Sequence, residues 1–150
     1  MEDPGFEVGL GRWQAGQGTR LVRVAEARSG AWAASLAAEQ SATPSMELRE
    51  VQRLQLGKEY AVTVWLRAKV PPGALVRVDL AEELRGRRYA VDTAGAVLEG
   101  PGWQPLEVVH VTHQPGAMLA IQIAAVELPA GGQVSVDDLS LRAAAALLPP

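Results

Sequence analysis

His110 and His113 are the chain's only imidazoles. Three positions apart on an extended segment, they point to opposite faces, so they neither ligate one metal nor form a dyad. They are expected as two partly exposed strand residues. Glu82 and Glu83 are adjacent, whereas glycosidase carboxylates must face each other across about 5–9 Å. The absence of cysteine excludes disulfides, thiolate chemistry and Cys-based zinc or iron–sulfur sites. There is no G-x-S-x-G and no P-loop. No catalytic constellation is therefore expected. The remaining chemistry is aromatic and acidic. Four Trp, two Tyr and one Phe offer flat faces. Trp65 is flanked by Thr63 and Arg67, and Tyr89 follows Arg85-Gly86-Arg87-Arg88. That arginine segment reads as a solvated loop, placed to rim a cleft or meet a partner. Glu7, Asp137 and Asp138 are acids beside predicted strand ends.

The elements that must position these residues have period two. Tyr60, Val62, Val64 and Leu66 fall on one face of a strand; Thr63, Trp65 and Arg67 fall on the other. Val76, Val78 and Leu80 alternate with Arg77, Asp79 and Ala81. Leu106, Val108, His110 and Thr112 share a face, as do Leu119, Ile121 and Ile123. Val134 and Val136 alternate with Ser135 and Asp137. Turn signals separate these runs at Gly57-Lys58, Pro71-Pro72-Gly73, Gly100-Pro101-Gly102, Gln114-Pro115-Gly116 and Pro129–Gly132. Many short strands between turns indicate an all-β antiparallel sandwich. Ala31–Gln40 is Ala-rich but is read as a strand, because the neighbouring elements need a partner. Residues 1–142 are read as one sandwich module, and residues 143–150 as an Ala/Pro-rich tail or short helix.

A chain of 150 residues can bury a core without staples. With 14 basic and 17 acidic residues spread along it, the sequence shows no basic stripe, and nucleic-acid binding is not expected. The apolar runs are too short for membrane insertion. The first residues have no basic region and no apolar run, so no signal peptide is expected.

Four blocks, in order, resemble one family. Pro4-Gly5-Phe6-Glu7 with Gly11-Arg12-Trp13 is similar to an "NPGFE…GW" opening. Leu56–Ala68 is similar to a "pGktYtvsaWvKa" strand, Gly102-Trp103 to a "gW" strand start, and Val134–Leu141 to a closing "fyvDDvsl". Together they resemble carbohydrate-binding modules of the family 4/9 type. That resemblance implies a galactose-binding-like jelly roll of eight to ten antiparallel strands. It implies that Phe6, Tyr60 and Trp103 pack in the core and that Trp13 caps the sandwich. It also implies a structural calcium held by Glu7 and one of the two closing acids. Strand parity sends Asp137 and Asp138 to opposite sides, and Asp137 is the one expected to reach the ion.

Two functions follow. The first is a non-catalytic carbohydrate-binding-like module that anchors its host to a polysaccharide, with Trp65 as platform beside Thr63 and Arg67, and with Tyr89 contributing. The second is a structural or adhesion module, such as a virion decoration or tail-fibre protein or a cell-surface assembly protein, binding other protein subunits. The sparse aromatics favour the second: none lies between Ala33 and Glu59, and only Tyr89 lies between Leu66 and Gly102. The expected setting is extracellular, as part of a larger protein, or a virion.

Overall fold

A computed structural model describes residues 5–39, 43–70 and 73–145. Ten strands form two five-stranded antiparallel sheets. They are β1 (Gln14–Ala15), β2 (Thr19–Val24), β3 (Ala33–Ala38), β4 (Ser45–Leu48), β5 (Lys58–Val70), β6 (Ala74–Leu84), β7 (Arg87–Leu98), β8 (Gln104–Val111), β9 (Met118–Val126) and β10 (Gln133–Ala145). Sheet I has the order β1-β4-β9-β6-β7 and sheet II the order β2-β3-β10-β5-β8. This is an all-β jelly-roll sandwich. No helix occurs among the described residues.

The period-two faces meet between the sheets. Tyr60, Val62, Val64 and Leu66 of β5 pack with Val134, Val136 and Leu139 of β10. Across from them lie Val76, Val78 and Leu80 of β6 and Leu119, Ile121 and Ile123 of β9. Each such side chain, fully buried, stabilises the fold by roughly 1.5–3 kcal/mol before ordering costs. β5 lies between β10 and β8, and β10 lies between β3 and β5, so the blocks at 56–68 and 134–141 build the middle of one sheet. Ala33–Ala38 is a strand despite its helix-favouring composition, because it pairs with both β2 and β10.

Two bulges change side-chain direction. In β10, Asp137 pairs with Trp65 but Ser140 pairs with Thr63, so the strand carries one extra residue. Asp138 absorbs it with a φ of 49°. Beyond this point odd residues face inward, which is why Leu139 is in the core beside Val136. In β7 the extra residue is Tyr89, since Glu82 pairs with Ala90 and Glu83 with Arg88. The β6–β7 hairpin turns on Arg85 and Gly86, with φ of 54° and 77°. Positive φ at both central residues is the two-residue turn whose twist matches the strands.

Several expectations change. Ala143, Ala144 and Ala145 are not tail or helix: they pair with Tyr60, Glu59 and Lys58 as the end of β10. Residues 146–150 lie outside the described residues, as do Pro4 and the Pro71-Pro72 part of one turn. Phe6 and Tyr60 are buried, and Trp13 packs 6.4 Å from the Phe6 ring. Trp103, however, is only half-buried. The inner-face register of β8 falls on Gln104, which pairs with Leu66, and this sends Trp103 to the outside.

Candidate ligand-binding surface

The outer face of sheet II carries Thr63, Trp65 and Arg67, and it is already occupied by the chain's own side chains. The guanidinium of Arg28, from the β2–β3 loop, stacks 3.5 Å from the Trp65 ring centroid. Arg67 lies 4.9 Å over the Trp103 ring and pairs with Glu26 at 3.1 Å. Arg23 lies 4.1 Å over Trp32 and donates to the carbonyls of Phe6 and Glu7. Thr63 donates to Glu107 at 3.3 Å. Tyr89, the fourth expected sugar contact, stands on β7 in sheet I, so the structure does not bring it together with the other three.

The three acids do converge. Glu7 accepts the backbone N–H groups of Ala31 and Trp32 at 2.6 and 2.8 Å. Asp137 accepts those of Arg28 and Ser29 at 2.9 and 3.3 Å, and its other oxygen accepts the N–H of Asp138. Burial pushes the Asp137 carboxyl above its ordinary value, against the pull of these N–H groups. Asp138 was expected to point away. The bulge overturns that parity argument: its carboxylate accepts from Arg28 at 2.9 Å and from the Ser29 hydroxyl at 2.7 Å. A Cβ placed on Gly5 would lie 3.5 Å from Asp138 Oδ1, 3.6 Å from Asp137 Oδ1 and 3.8 Å from Glu7 Cγ. One carboxylate oxygen each of Asp137 and Asp138 therefore faces Gly5, whereas Glu7 turns its Cγ there and its oxygens to Ala31 and Trp32; two hard oxygens are part of what calcium requires. Among the described residues no group of three or more His, Cys, Asp or Glu side chains is arranged to hold an ion, so backbone carbonyls would have to complete the shell. Gly30, with a φ of 66°, lets Glu7 approach; a side chain there would run into Glu7 Oε1.

His110 is not partly exposed. It is 0% exposed, with Nδ1 2.6 Å from Asp92 Oδ2 and Nε2 2.8 Å from Glu82 Oε1. Glu82 also accepts the N–H groups of His113 and Gln114 at 2.6 and 3.0 Å. A neutral imidazole has one N–H, so holding both contacts requires a second proton, on the ring or on a carboxyl. His113 is exposed and leaves the strand, which lets its ring approach that of His110 to 5.8 Å. The inward parities of Glu82, two residues after Leu80, and of His110, two after Val108, were the available signal. Two ionisable side chains on core faces of different strands imply a buried partner. The cluster joins β6 and β7 of one sheet to β8 of the other.

The outer face of sheet I is covered in its middle, where Asp79, Ala81, Ala120 and Ala124 are buried, and exposed along the edge strand β7. Its middle is small: Ala81 pairs with Ala120, and Arg77 is flanked by Ala124 and Gly95. Polar side chains form a row across the strands in the order Glu47, Gln122, Asp79 and Thr93. Thr93 donates to Asp79 at 2.7 Å. At one end Arg49 makes a two-point contact with Glu83, both bonds 3.2 Å, and Arg88 adds a third at 3.3 Å. Burial alone would push the Glu83 carboxyl up, but bonding and charge from Arg49 and Arg88 hold it below its ordinary value. Tyr89, 46% exposed, stands beside this group, and Val91, Val97 and Leu75 expose apolar surface along the same sheet.

No protein-family model matches the chain, and no curated protein matches it. Solved structures do. The xylan-binding domain CBM22-1 of Xyn10C from Paenibacillus barcinonensis is similar with a TM-score of 0.76 at 15% identity, covering 95% of this chain and 93% of that one. TmCBM61, solved with β-1,4-galactotriose, is similar with a TM-score of 0.64 at 22% identity over 95% and 96% of the two chains. A cyclase from Fischerella sp. TAU reaches 0.77 at 13% identity, over 99% and 97%. These likenesses establish the jelly-roll fold, which carbohydrate-binding modules share with at least one cyclase. Function must be argued from the surface.

Proposed function

We propose that this chain is a non-catalytic carbohydrate-binding module that anchors its host to a polysaccharide, and that sugar lies on the outer face of sheet I. The observation that carries this reading is the exposed Tyr89 ring, followed along the edge strand β7 by exposed Val91, Thr93 and Gly95, with the Thr93 hydroxyl and the half-buried Gln122 amide as partners for sugar hydroxyls. A pyranose stacks its C–H face on such a ring while flanking polar groups fix its orientation. The solved modules, one named as xylan-binding and one solved with β-1,4-galactotriose, support it, as does the family 4/9 resemblance of the four sequence blocks. His110, with both ring nitrogens engaged and no exposed surface, is not placed to touch a substrate. One structural calcium near Gly5 is part of this proposal, with Glu7 and Asp137 as its side-chain ligands; Glu7 would have to release the Ala31 and Trp32 N–H groups to reach it, and the ion would supply charge that ties Glu7 to β10.

A glycan array followed by calorimetry tests the reading. Tyr89→Ala is expected to remove most affinity, at least tenfold, with the melting temperature nearly unchanged. If Trp65→Ala rather than Tyr89→Ala removes binding, the sugar lies on sheet II with Trp65, Arg67 and Thr63. A second reading, docking of other protein subunits in a virion or cell-surface assembly, is favoured by the exposed Val91 and Val97 on β7, an edge strand. In that case no glycan binds at millimolar concentration, and light scattering reports an assembly.

A further inference from the structure

The sequence shows no basic stripe, yet the fold builds one. Arg53 bridges to Met118, Met118 pairs with Glu83, and Glu83 pairs with Arg88, so one row across sheet I has arginine at both ends. Arg49 reaches the same Glu83 from the end of β4. The β6–β7 hairpin adds Arg85 and Arg87, both exposed, immediately before Tyr89. Five arginines, drawn from segments 30 or more residues apart, thus gather at one end of a chain whose formal charge is −3. The acids on this face are Glu47, Asp79 and Glu83; Glu47 and Glu83 are paired with Arg49 and Arg88, and Asp79 with Arg77 at 3.4 Å. Glu50, at the rim, is paired with Arg12 at 3.9 Å. Arg53, Arg85 and Arg87 make no ion pair among the described residues. Three cations are therefore left over, beside Tyr89, the more exposed of the two exposed aromatic residues, Tyr89 and Trp32, among the described residues.

Resting on the carbohydrate reading above, we infer that the polysaccharide is anionic, its carboxylate or sulfate groups held by Arg53, Arg85 and Arg87 while a ring stacks on Tyr89. Guanidinium groups match both oxyanions in a planar two-point geometry. The Glu83 carboxylate, gripped from two sides, holds Arg49 and Arg88 upright and leaves the three outer arginines to the ligand. A neutral glycan would give those three cations no partner. The charge also raises the encounter rate with a polyanion, an effect that salt screens over roughly 8–10 Å.

The test titrates the full chain with polygalacturonate, dextran sulfate, xylan, β-1,4-galactan and double-stranded DNA, each in low and in 0.5 M salt. Arg53→Gln/Arg87→Gln is compared with Arg20→Gln/Arg142→Gln, which removes the same charge from sheet II. The expected result is binding to polygalacturonate or dextran sulfate, weakened about tenfold or more by the first double variant, little changed by the second, and strongly reduced by salt. Which of the two polymers binds identifies carboxylate or sulfate. Xylan or galactan bound as tightly as the charged polymers overturns the inference and leaves the carbohydrate reading intact. DNA bound as tightly as the acidic glycans overturns it as unselective polyanion binding. No glycan bound at all removes both.

Discussion

Glu82 and Glu83 are neighbours in sequence with opposite fates. Glu82 faces the core, where its carboxylate serves His110 and two backbone N–H groups; Glu83 faces outward between two arginines. Removing a buried charged partner strands the groups it satisfied, typically at about 3–5 kcal/mol, whereas an exposed pair contributes about 1 kcal/mol or less. Glu82→Ala is therefore expected to cost several times more stability than Glu83→Ala in chemical denaturation. Equal losses would mean that the His110 tie does not hold the sheets together. Carried two residues past Leu80 and Val108, the alternation would place Glu82 and His110 inward, against the expectation of a partly exposed His110. That they meet was not legible, because pairing across two sheets depends on which strands become edges. Trp65 shows the converse. Its outward direction was legible from the alternation of β5, but Arg28, which covers it, comes from a loop 37 positions away with no period to read.

At the scale of the element, β10 carries the most consequence. Its first half was readable as alternation, and its continuation to Ala145 was not, because an alanine run has no polar–apolar contrast to reveal a period. Asp138 resolves the phase change with its left-handed backbone. Asp138→Gly keeps the φ accessible and loses only the contacts to Arg28 and Ser29, so melting is expected to fall by a few degrees. Deleting Asp138 removes the one extra residue, so Leu139 comes opposite the inward Val64, stays in the core, and residues 140–145 keep their partners. A retained cooperative thermal transition is the expected outcome, with a lower midpoint from the lost contacts to Arg28 and Ser29. Loss of the cooperative transition in the deletion variant would show that the fold requires the bulge. The hairpin at Arg85-Gly86 was marked only as a solvated basic loop, although its glycine at a positive-φ position carries the turn. The gathering of arginines around it depends on sheet order, which no local pattern encodes.

For the whole molecule, the sandwich was legible because each central strand alternates and each turn is punctuated; the allocation of strands to two sheets was not. The calcium proposal is a claim at this scale, since an ion at Glu7 and Asp137 would link the start of the described chain to its last strand. Binding only the folded state, it raises stability with concentration. Chelation is expected to lower the melting temperature of the full chain, and Glu7→Ala to abolish that response while Glu83→Ala keeps it. A melting temperature unchanged from micromolar to millimolar calcium removes the ion from the account. The order of strands has a further consequence. β10, last to be made, lies between β3 and β5, so during synthesis both wait with open edges until residues 133–145 leave the ribosome. Early strands of such a chain present unpaired backbone to their surroundings for the longest time. A stall or truncation before Gln133 would then yield not a smaller module but an aggregation-prone fragment.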